Sequence, residues 1–412
     1  MTMIVLFDDV TARTFEPFST SRPLGEMRVG ALLVRERWAQ VLGASMDAFA
    51  SRPALRAFAE FDAPPFVTGD IPAGSIVVNT RAIPLLAQSI SPTVGAWTVN
   101  GRIAAVRLRE SLPVAALHDG AWTLDNTVAA NTESAALDGV WLDAVWDIIR
   151  HLTALLNNDI PVLGTQLECR ALRDDQVALR GPIILGAHPV WLEDGATAEP
   201  FTVFDTTLGP VMLRRGSVVQ SFTRVVGPCY VGRDSTVMAD RISGSAIGDV
   251  CRVHGEVSAT VFIGHANKGH DGFVGHSIVG RWANLGASTV TSNLKNTYGT
   301  VALWTPGGVR DSGLQFLGTL FGDHVKTGIG VRLTTGCVLG AATNVMDAMP
   351  PKMVAPFSWG TRAPYDVYAL DKFIETAARM MARRHVTFDD AQRTLWATLH
   401  AEALDVARYG SR

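Results

Sequence analysis

Long apolar runs, an excess of charge of either sign and closely spaced cysteines are all missing from this chain, and each absence removes a class of protein. No stretch approaches the roughly 20 apolar residues needed to cross a bilayer, so no membrane partner is expected. The amino terminus, MTMIVLFDDV, has an apolar run that stops at Asp8 and Asp9, with no basic start or small-residue cleavage site. It is expected to be a buried strand rather than a signal peptide. Lys and Arg total 36 against 39 Asp and Glu, a net charge of -3. No field draws in nucleic acid or an anionic membrane, although a local basic pocket for an acidic metabolite remains compatible. The four cysteines, Cys169, Cys229, Cys251 and Cys337, lie far apart without CxxC spacing. They are expected to be reduced core residues of a cytoplasmic protein.

With 412 residues, 47% of them hydrophobic and 18% charged, the chain is sized for two or three compact domains. Residues 1–180 read as an α/β domain, with strands at Ile4–Phe7, Ile76–Val78 and Ile103–Leu108 and helices over Gly30–Leu42 and Leu137–Leu156. A polar stretch, Glu168–Arg180, closes it. From Ile183 the period changes to six. Leu213, Val219, Val225, Val231 and Val237 are in strict register, Ile247 and Val253 resume it after an offset, as do Val279 and Leu285, and Leu317, Ile329, Thr335 and Ala341 continue it. Six fits neither helix nor ordinary strand. It fits a triangular solenoid in which each short strand points one aliphatic side chain inward, so residues 181–360 are expected to form a left-handed parallel β-helix of hexapeptide repeats. Two interruptions, Gly264–Gly275 and Ser292–Asp311, are expected to leave the core. Residues 361–412 read as helices packed on the last coils. Val367, Leu370, Phe373, Ile374, Ala377 and Met381 form one stripe, and Thr387 with Asp390 marks the start of a helix over Phe388–Ala407.

Chemistry-bearing residues gather at the interruptions. The run GHANKGHDGFVGH, residues 264–276, holds three histidines and a lysine. His270 can be a general base, since imidazole titrates near neutrality. His265 and His270, completed by His276 or His254, can equally be zinc ligands. All can also be polar loop residues bonded to backbone. Residues 284–298 add Asn284, Asn293, Lys295, Asn296 and Tyr298. Asparagine amides suit sugar hydroxyls or an acetamido group, and lysine suits a phosphate, while Asn is also a favoured residue at left-handed corners.

The run NKGHDGFVGHSIVGRWANLGASTVTSNLKNTYGTV, with GDHVK at 322–326 and FSWG at 357–360, resembles the GlmU-like family. That family comprises bifunctional N-acetylglucosamine-1-phosphate uridyltransferase/glucosamine-1-phosphate acetyltransferases, and the resemblance is greatest to its short sugar nucleotidyltransferase branch. It covers about residues 181–360 well and the N-terminal domain more loosely. It implies acetyl transfer from acetyl-CoA to an amino-sugar phosphate in UDP-N-acetylglucosamine-type biosynthesis, in a homotrimer whose flat solenoid faces pack together. Carried over by position, it implies His270 as catalytic base, with Asn284, Asn293, Phe273 and nearby Lys295 at the substrate and Ala287 at the acetyl-CoA site. Phe273 stands where the family has a tyrosine, and Ala259 and Thr260 stand where it has a substrate lysine. In the N-terminal domain no Gly-x-Gly loop follows the first strand. Arg22 and Arg28, in the SRPLGEMRVG segment, match the family's basic phosphate loop. Asn79 matches a position that often holds a metal-binding aspartate, where Mg²⁺ would bind. Two further readings stay open: a γ-carbonic-anhydrase-like zinc enzyme on the same solenoid, and a non-catalytic trimeric scaffold.

Overall fold

The computed structural model describes residues 3–88, 90, 94–128, 132–172 and 181–404. Its N-terminal part is built on a six-stranded sheet ordered Ala48–Ala50, Ile4–Phe7, Ile76–Asn79, Arg102–Arg107, Ala96–Val99, Ser134–Leu137. The first three strands are parallel, and Arg102–Arg107 runs antiparallel to both of its neighbours. Ile4–Phe7 is apolar throughout because both of its faces are covered. Leu6 and Val78 face the larger core, while Val5, Phe7 and Val77 face a second cluster with Val106, Leu117 and Leu124. All three expected strands are present.

Both expected helices in this region are displaced. Arg28–Val29 and Leu32–Leu33 form a hairpin around Gly30, so helix α1 runs only over Val34–Leu42. Gly30 has φ +68°, and a Cβ there would come within 2.3 Å of Asp159 Oδ2, so glycine is required by both strain and space. Leu137–Leu156 is not one helix. It holds a strand end, the strand Gly139–Trp141 paired with Ala82–Pro84, then α2, Asp147–Arg150, and the start of α3, Leu152–Gln166. Sheet pairing overrode the helical spacing of its apolar residues. Arg37 of α1 and Asp159 of α3 tie the two helices by a fully buried bidentate ion pair of 2.9 and 2.5 Å.

The remainder is a parallel β-solenoid of about ten turns whose first, second and third faces have ten, ten and six strands. The strict hexad steps around them: Leu213 lies on the first face, Val219 on the second, Val225 on the third and Val231 on the first again, all fully buried. The first face also receives Arg170–Leu172, antiparallel to Val190–Leu192, so the solenoid sheet starts ahead of the expected boundary at 180. Residues 173–180 of the expected polar separator lie outside the described residues.

Two expectations about the repeat are corrected. Gly264–Gly275 is no excursion: Phe262, Lys268 and Val274 occupy the inward position of three successive faces in unbroken hexad register, and Lys268 hides the pattern because it is charged. After the second interruption the buried register is Phe321, Thr327, Leu333, Leu339, Val345, four residues out of phase with the expected one. Ile329, placed in the core by sequence, is 83% exposed, while Leu317 and Ala341 are buried outside the solenoid core. The second excursion is real. It contains the hairpin Ala302–Thr305/Gly308–Asp311 and docks on the N-terminal domain, with Arg150 donating to the Ser312 carbonyl at 2.7 Å and Arg310 over the Trp146 ring.

The corner between the first and second faces is turned by left-handed residues, among them Val250, His265, Trp282, His324 and Phe357. Stacked coil upon coil, their side chains form a column, with His265 and Trp282 rings 4.6 Å apart and Trp282 and His324 rings 6.2 Å apart. Phe61 of the N-terminal domain stacks on His265, and the C-terminal helices cover the other end. Helix α4 spans Leu370–Ala382 and α5 spans Asp390–Ala403. Phe373 and Trp396 pack on His324 and Phe357, and Arg52 pairs with Glu402, so these helices clamp both domains. The α5 cap is Asp389, whose side chain accepts from the Gln392 amide at 2.9 Å, not Thr387. Val367 is exposed in a short strand ahead of α4, and residues 405–407 of the expected last helix lie outside the described ones. No described helix is long and apolar enough to cross a membrane.

Candidate functional sites at the sheet edge and on the solenoid

Parallel strands Ile4–Phe7 and Ile76–Asn79 end side by side, and in such sheets ligands bind at the carboxyl ends of the strands. A cleft of about 430 Å³ opens there, lined among others by Asp9, Asn79, Arg81, Arg102, Trp122 and Trp141. Asp8 is buried and accepts from Ser51 and Thr80 hydroxyls at 2.5 Å and from the Leu24 amide, which pins the following loop to the strand. Burial pushes its carboxyl upward against those three bonds. Asp9 accepts from four donors: Arg81 Nε and Nη2, Asn79 Nδ2 and the Ala12 amide, all within 3.0 Å. Burial opposes its charge, but the Arg81 guanidinium holds the carboxyl below its usual range. Asn79 is therefore bonded to Asp9, and its own carbonyl accepts from the Arg81 amide at 3.0 Å. A Mg²⁺ ion at Asp9 would have to displace Arg81, so these residues do not fit one as they stand. Among the described residues no group of three His, Cys, Asp or Glu side chains is placed to hold a metal.

Arg22 and Arg28 do not reach this cleft. Arg22 is 1% exposed and donates from Nε to Asp323 Oδ2 at 2.8 Å, with Glu60 3.2 Å from its other arm. Ser21 reaches the same Asp323 oxygen at 2.6 Å. Arg281, from the solenoid, sits between Glu60 and Glu26. The segment that resembles a phosphate loop is thus tied to the solenoid by a buried ionic network. Arg28 lies over the Tyr230 ring, 5.5 Å away, and donates to the carbonyls of Ala31 and Ile263.

On the solenoid, residues 269–272 turn the chain from the second face to the third. His270 is exposed on this turn. Its carbonyl is held by Lys268 Nζ at 2.9 Å, and the same ammonium donates to the His254 carbonyl at 2.5 Å. Burial lowers the Lys268 pKa to about 8. Asp271 accepts from Ser288 of the next coil. Phe273 lies against Gly275, where a Cβ would stand 2.4 Å from the ring and 2.7 Å from Asn293 Nδ2. Asn293 bonds His276 Nδ1 at 2.8 Å, and Phe316 stacks on that imidazole. With the amide donating, Nδ1 is the acceptor and the proton sits on Nε2. Burial lowers the His276 pKa, so the ring is neutral at neutral pH. Phe273, Asn293 and His276 therefore meet beside the His270 turn. Lys295 does not join them; it donates to Thr300 within the excursion at 3.0 Å.

Asn284 and Ala287 belong to the next coil. Asn284 accepts from Asn267 Nδ2 at 2.8 Å on the second face, and the half-buried Ala287 receives the Gly330 amide on its carbonyl. His265 is packed between Phe61 and Trp282, with ring centroids 4.4 and 4.6 Å away. Burial, then Arg281, Arg384 and Arg22, lower its pKa to about 3. A zinc ion shared by His265 and His270 has no support in this arrangement, since one faces the domain junction and the other solvent. From the sequence, Lys268 is counted without a role, His276 is weighed as a zinc ligand or a loop residue, and Asn267 and Arg81 are not singled out. A lysine at an aliphatic hexad position was the available signal for the first of these.

Residues 4–166 match the family model described as sugar nucleotidyl transferase. The chain is 26% identical over 208 residues to the bifunctional protein GlmU of Methanococcus vannielii, covering 50% of this chain and 42% of that protein. It is 28% identical over 218 residues to the bifunctional protein GlmU of Methanocaldococcus jannaschii, covering 50% and 45%. A bifunctional sugar-1-phosphate nucleotidylyltransferase/acetyltransferase of Sulfurisphaera tokodaii is 32% identical over 90 residues, 22% of each chain. The matched region is thus less than half the length of these relatives.

Proposed function

We propose that this chain, which belongs to the GlmU-like proteins, is a transferase that acetylates the amine of an amino-sugar phosphate at the solenoid turn carrying His270, with acetyl-CoA as donor. The observation that carries this reading is the His270 turn itself. An exposed imidazole stands on a backbone fixed by a buried ammonium, beside the meeting point of Phe273, Asn293 and His276. An attacking amine must lose a proton, and a positioned base contributes about 10²–10⁴-fold. His270 takes that proton, Asn293 and Asn284 offer amides to the sugar, Phe273 packs its ring, and Ala287 leaves room for the thioester arm. The Sulfurisphaera tokodaii relative is named for the same two activities, nucleotidyl and acetyl transfer.

The N-terminal cleft is assigned to a nucleotide sugar in this scheme, with Trp122 as a stacking surface, while Arg102 lies over the Trp141 ring and pairs with Asp143. The burial of Arg22 favours a second reading of that domain alone, as a structural module that has lost nucleotidyl transfer. A homotrimer belongs to the same proposal. The third solenoid face presents exposed Arg224, Arg241, Glu256 and Phe222 to solvent and is the surface left for neighbouring copies; a sedimentation experiment showing only monomer at micromolar concentration would remove it.

The test is mass-spectrometric detection of acetylated product from glucosamine 1-phosphate and acetyl-CoA. His270→Ala is expected to lower kcat about 10²–10⁴-fold with an unchanged melting temperature, since an exposed side chain supports no core. No product from the wild type overturns acetyl transfer. Unchanged turnover in the variant removes His270 from the mechanism.

A further inference from the structure

Outward positions on the second solenoid face form a polar ladder: Arg252, Asn267, Asn284, Lys326 and Asn344 are paired rung by rung. The end of α4 lies against it. Met380, Arg383 and Arg384 enclose, with His265, Asn267, Trp282 and Asn284, a crevice of about 70 Å³. No carboxylate lines this crevice, and neither Arg383 nor Arg384 makes an ion pair among the described residues. Arg384 instead stands near Arg252 and Arg383; burial first, then these like charges, lower its pKa. Lys326, the rung after Asn284, is lowered to about 8 by burial, and its ammonium has one long bond, 3.3 Å to the His324 carbonyl. Trp282 is 1% exposed and its indole N–H has no partner.

Cations crowded together without a counter-charge repel one another, and an anion seated among them removes that cost. Amide and indole N–H groups beside them supply directional donors for oxygen. We infer that this crevice binds the phosphate of a small molecule, a phosphomonoester or a pyrophosphate, with Arg383 and Arg384 supplying charge and the Asn267–Asn284 pair and Trp282 the hydrogen-bond donors. The C-terminal helix is then part of a binding site and not only a clamp. The site stands whether or not acetyl transfer occurs at His270, because it requires no turnover.

Melting of the full-length protein in sodium phosphate and in sodium chloride of equal ionic strength tests it. Ligand that binds only the folded state raises the melting temperature in proportion to ln(1 + [L]/Kd), so phosphate is expected to raise it where chloride does not. Arg383→Gln/Arg384→Gln should lose that shift while melting in chloride at or above the wild-type temperature. Arg383→Gln alone, at an exposed position, keeps the test open should the double variant fold poorly. Equal melting in the two salts, or a phosphate shift retained by both variants, overturns the site. Calorimetric competition then identifies the source. Displacement of phosphate by glucosamine 1-phosphate assigns the crevice to the sugar phosphate, and displacement by coenzyme A assigns it to the donor's phosphates. Displacement by neither limits the crevice to inorganic phosphate and overturns the small-molecule assignment.

Discussion

The N-terminal cleft and the solenoid face differ in what their polar groups are already doing. In the cleft Asp9 accepts from four donors, Asn79 is bonded through both ends of its amide, and Arg22 is buried between Asp323 and Glu60. On the solenoid, among the described residues, His270 is held only through its backbone, and Arg383 and Arg384 face no carboxylate among the lining residues. Residue type alone does not distinguish these cases, because Asp, Asn and Arg are as common in ties as in sites. A charged group whose bonds are all internal holds architecture together, and one whose bonds are open can act on a ligand. The N-terminal domain has spent its expected phosphate-loop arginines on the domain junction, while the solenoid region leaves His270, Arg383 and Arg384 available.

The largest expected effect comes from breaking the spent side. Removing one partner of a buried ion pair leaves the other charge desolvated, which costs about 3–5 kcal/mol. Arg22→Ala leaves the buried Asp323 carboxylate with only the Ser21 hydroxyl and the Arg281 amide while Glu60 keeps Arg281, and Asp323→Asn leaves Arg22 with Glu60 alone, so each should lower stability by up to that amount in denaturant unfolding. Neither should alter phosphate binding at Arg383 and Arg384. A loss below about 1 kcal/mol, the level of a surface ion pair, would show that the network does not hold the domains and that Arg22 is free to serve the cleft.

Lys268 sharpens the comparison, since it is a charge spent on backbone rather than on a carboxylate. Its folded pKa is lowered from 10.5 to about 8, largely by burial. Below pH 8 both folded and unfolded chains carry the proton and stability does not change on its account. Between about pH 8 and 10.5 the unfolded chain binds more protons, so stability rises with pH, by up to about 3 kcal/mol in all. Lys268→Met removes this rise. Lys326 contributes a similar slope to both proteins and cancels in the difference. Wild type should therefore gain on the variant by up to about 3 kcal/mol from pH 7.5 to pH 10.5, read by denaturant melts at each pH. A difference that does not move with pH would show the lysine solvated.

Much of the fold was legible because hexads are covalently regular. Five aliphatic residues in register named the solenoid, and the apolar Ile4–Phe7 named a sheet strand buried on both faces. The failures have physical causes. Lys268 at an inward position made a regular coil look like an excursion, since its stem fills aliphatic space while its ammonium curls to two carbonyls. After the hairpin excursion the phase was carried by Thr327 and Leu333, and Ile329, an isoleucine at a corner, drew the reading out of register. Leu137–Leu156 has helical spacing locally, but its first residues pair with Ala82–Pro84 and Ala96–Val99, which lie far away in sequence. Of the candidate site residues, the structure brings Phe273 and Asn293 together beside the His270 turn and Asn284 onto the neighbouring coil. The pairing of Arg22 with Asp323 joins residues 301 apart in the chain and leaves no local signal.

The smallest expected effect tests whether the cleft can be made available again. Arg81 neutralises Asp9 with bonds of 2.7–3.0 Å, donates to Asp143 at 2.8 Å and lies 5.2 Å from the Trp141 ring centre. While it stays, the carboxylate has no free charge for a divalent cation. Manganese, a paramagnetic stand-in for Mg²⁺, is therefore expected to show no binding at Asp9 in the wild type by electron paramagnetic resonance. Arg81→Gln frees the carboxylate of its guanidinium partner, with Asn79 still donating its Nδ2 to it. Weak binding, on the order of 10⁻³ M, should then appear, as befits one carboxylate with water completing an octahedral shell. Asp9→Asn in the same background should abolish it. Manganese binding in the wild type that is lost in Asp9→Asn would reverse the comparison, because it would show that the guanidinium yields its place to a metal and that the cleft was available from the start.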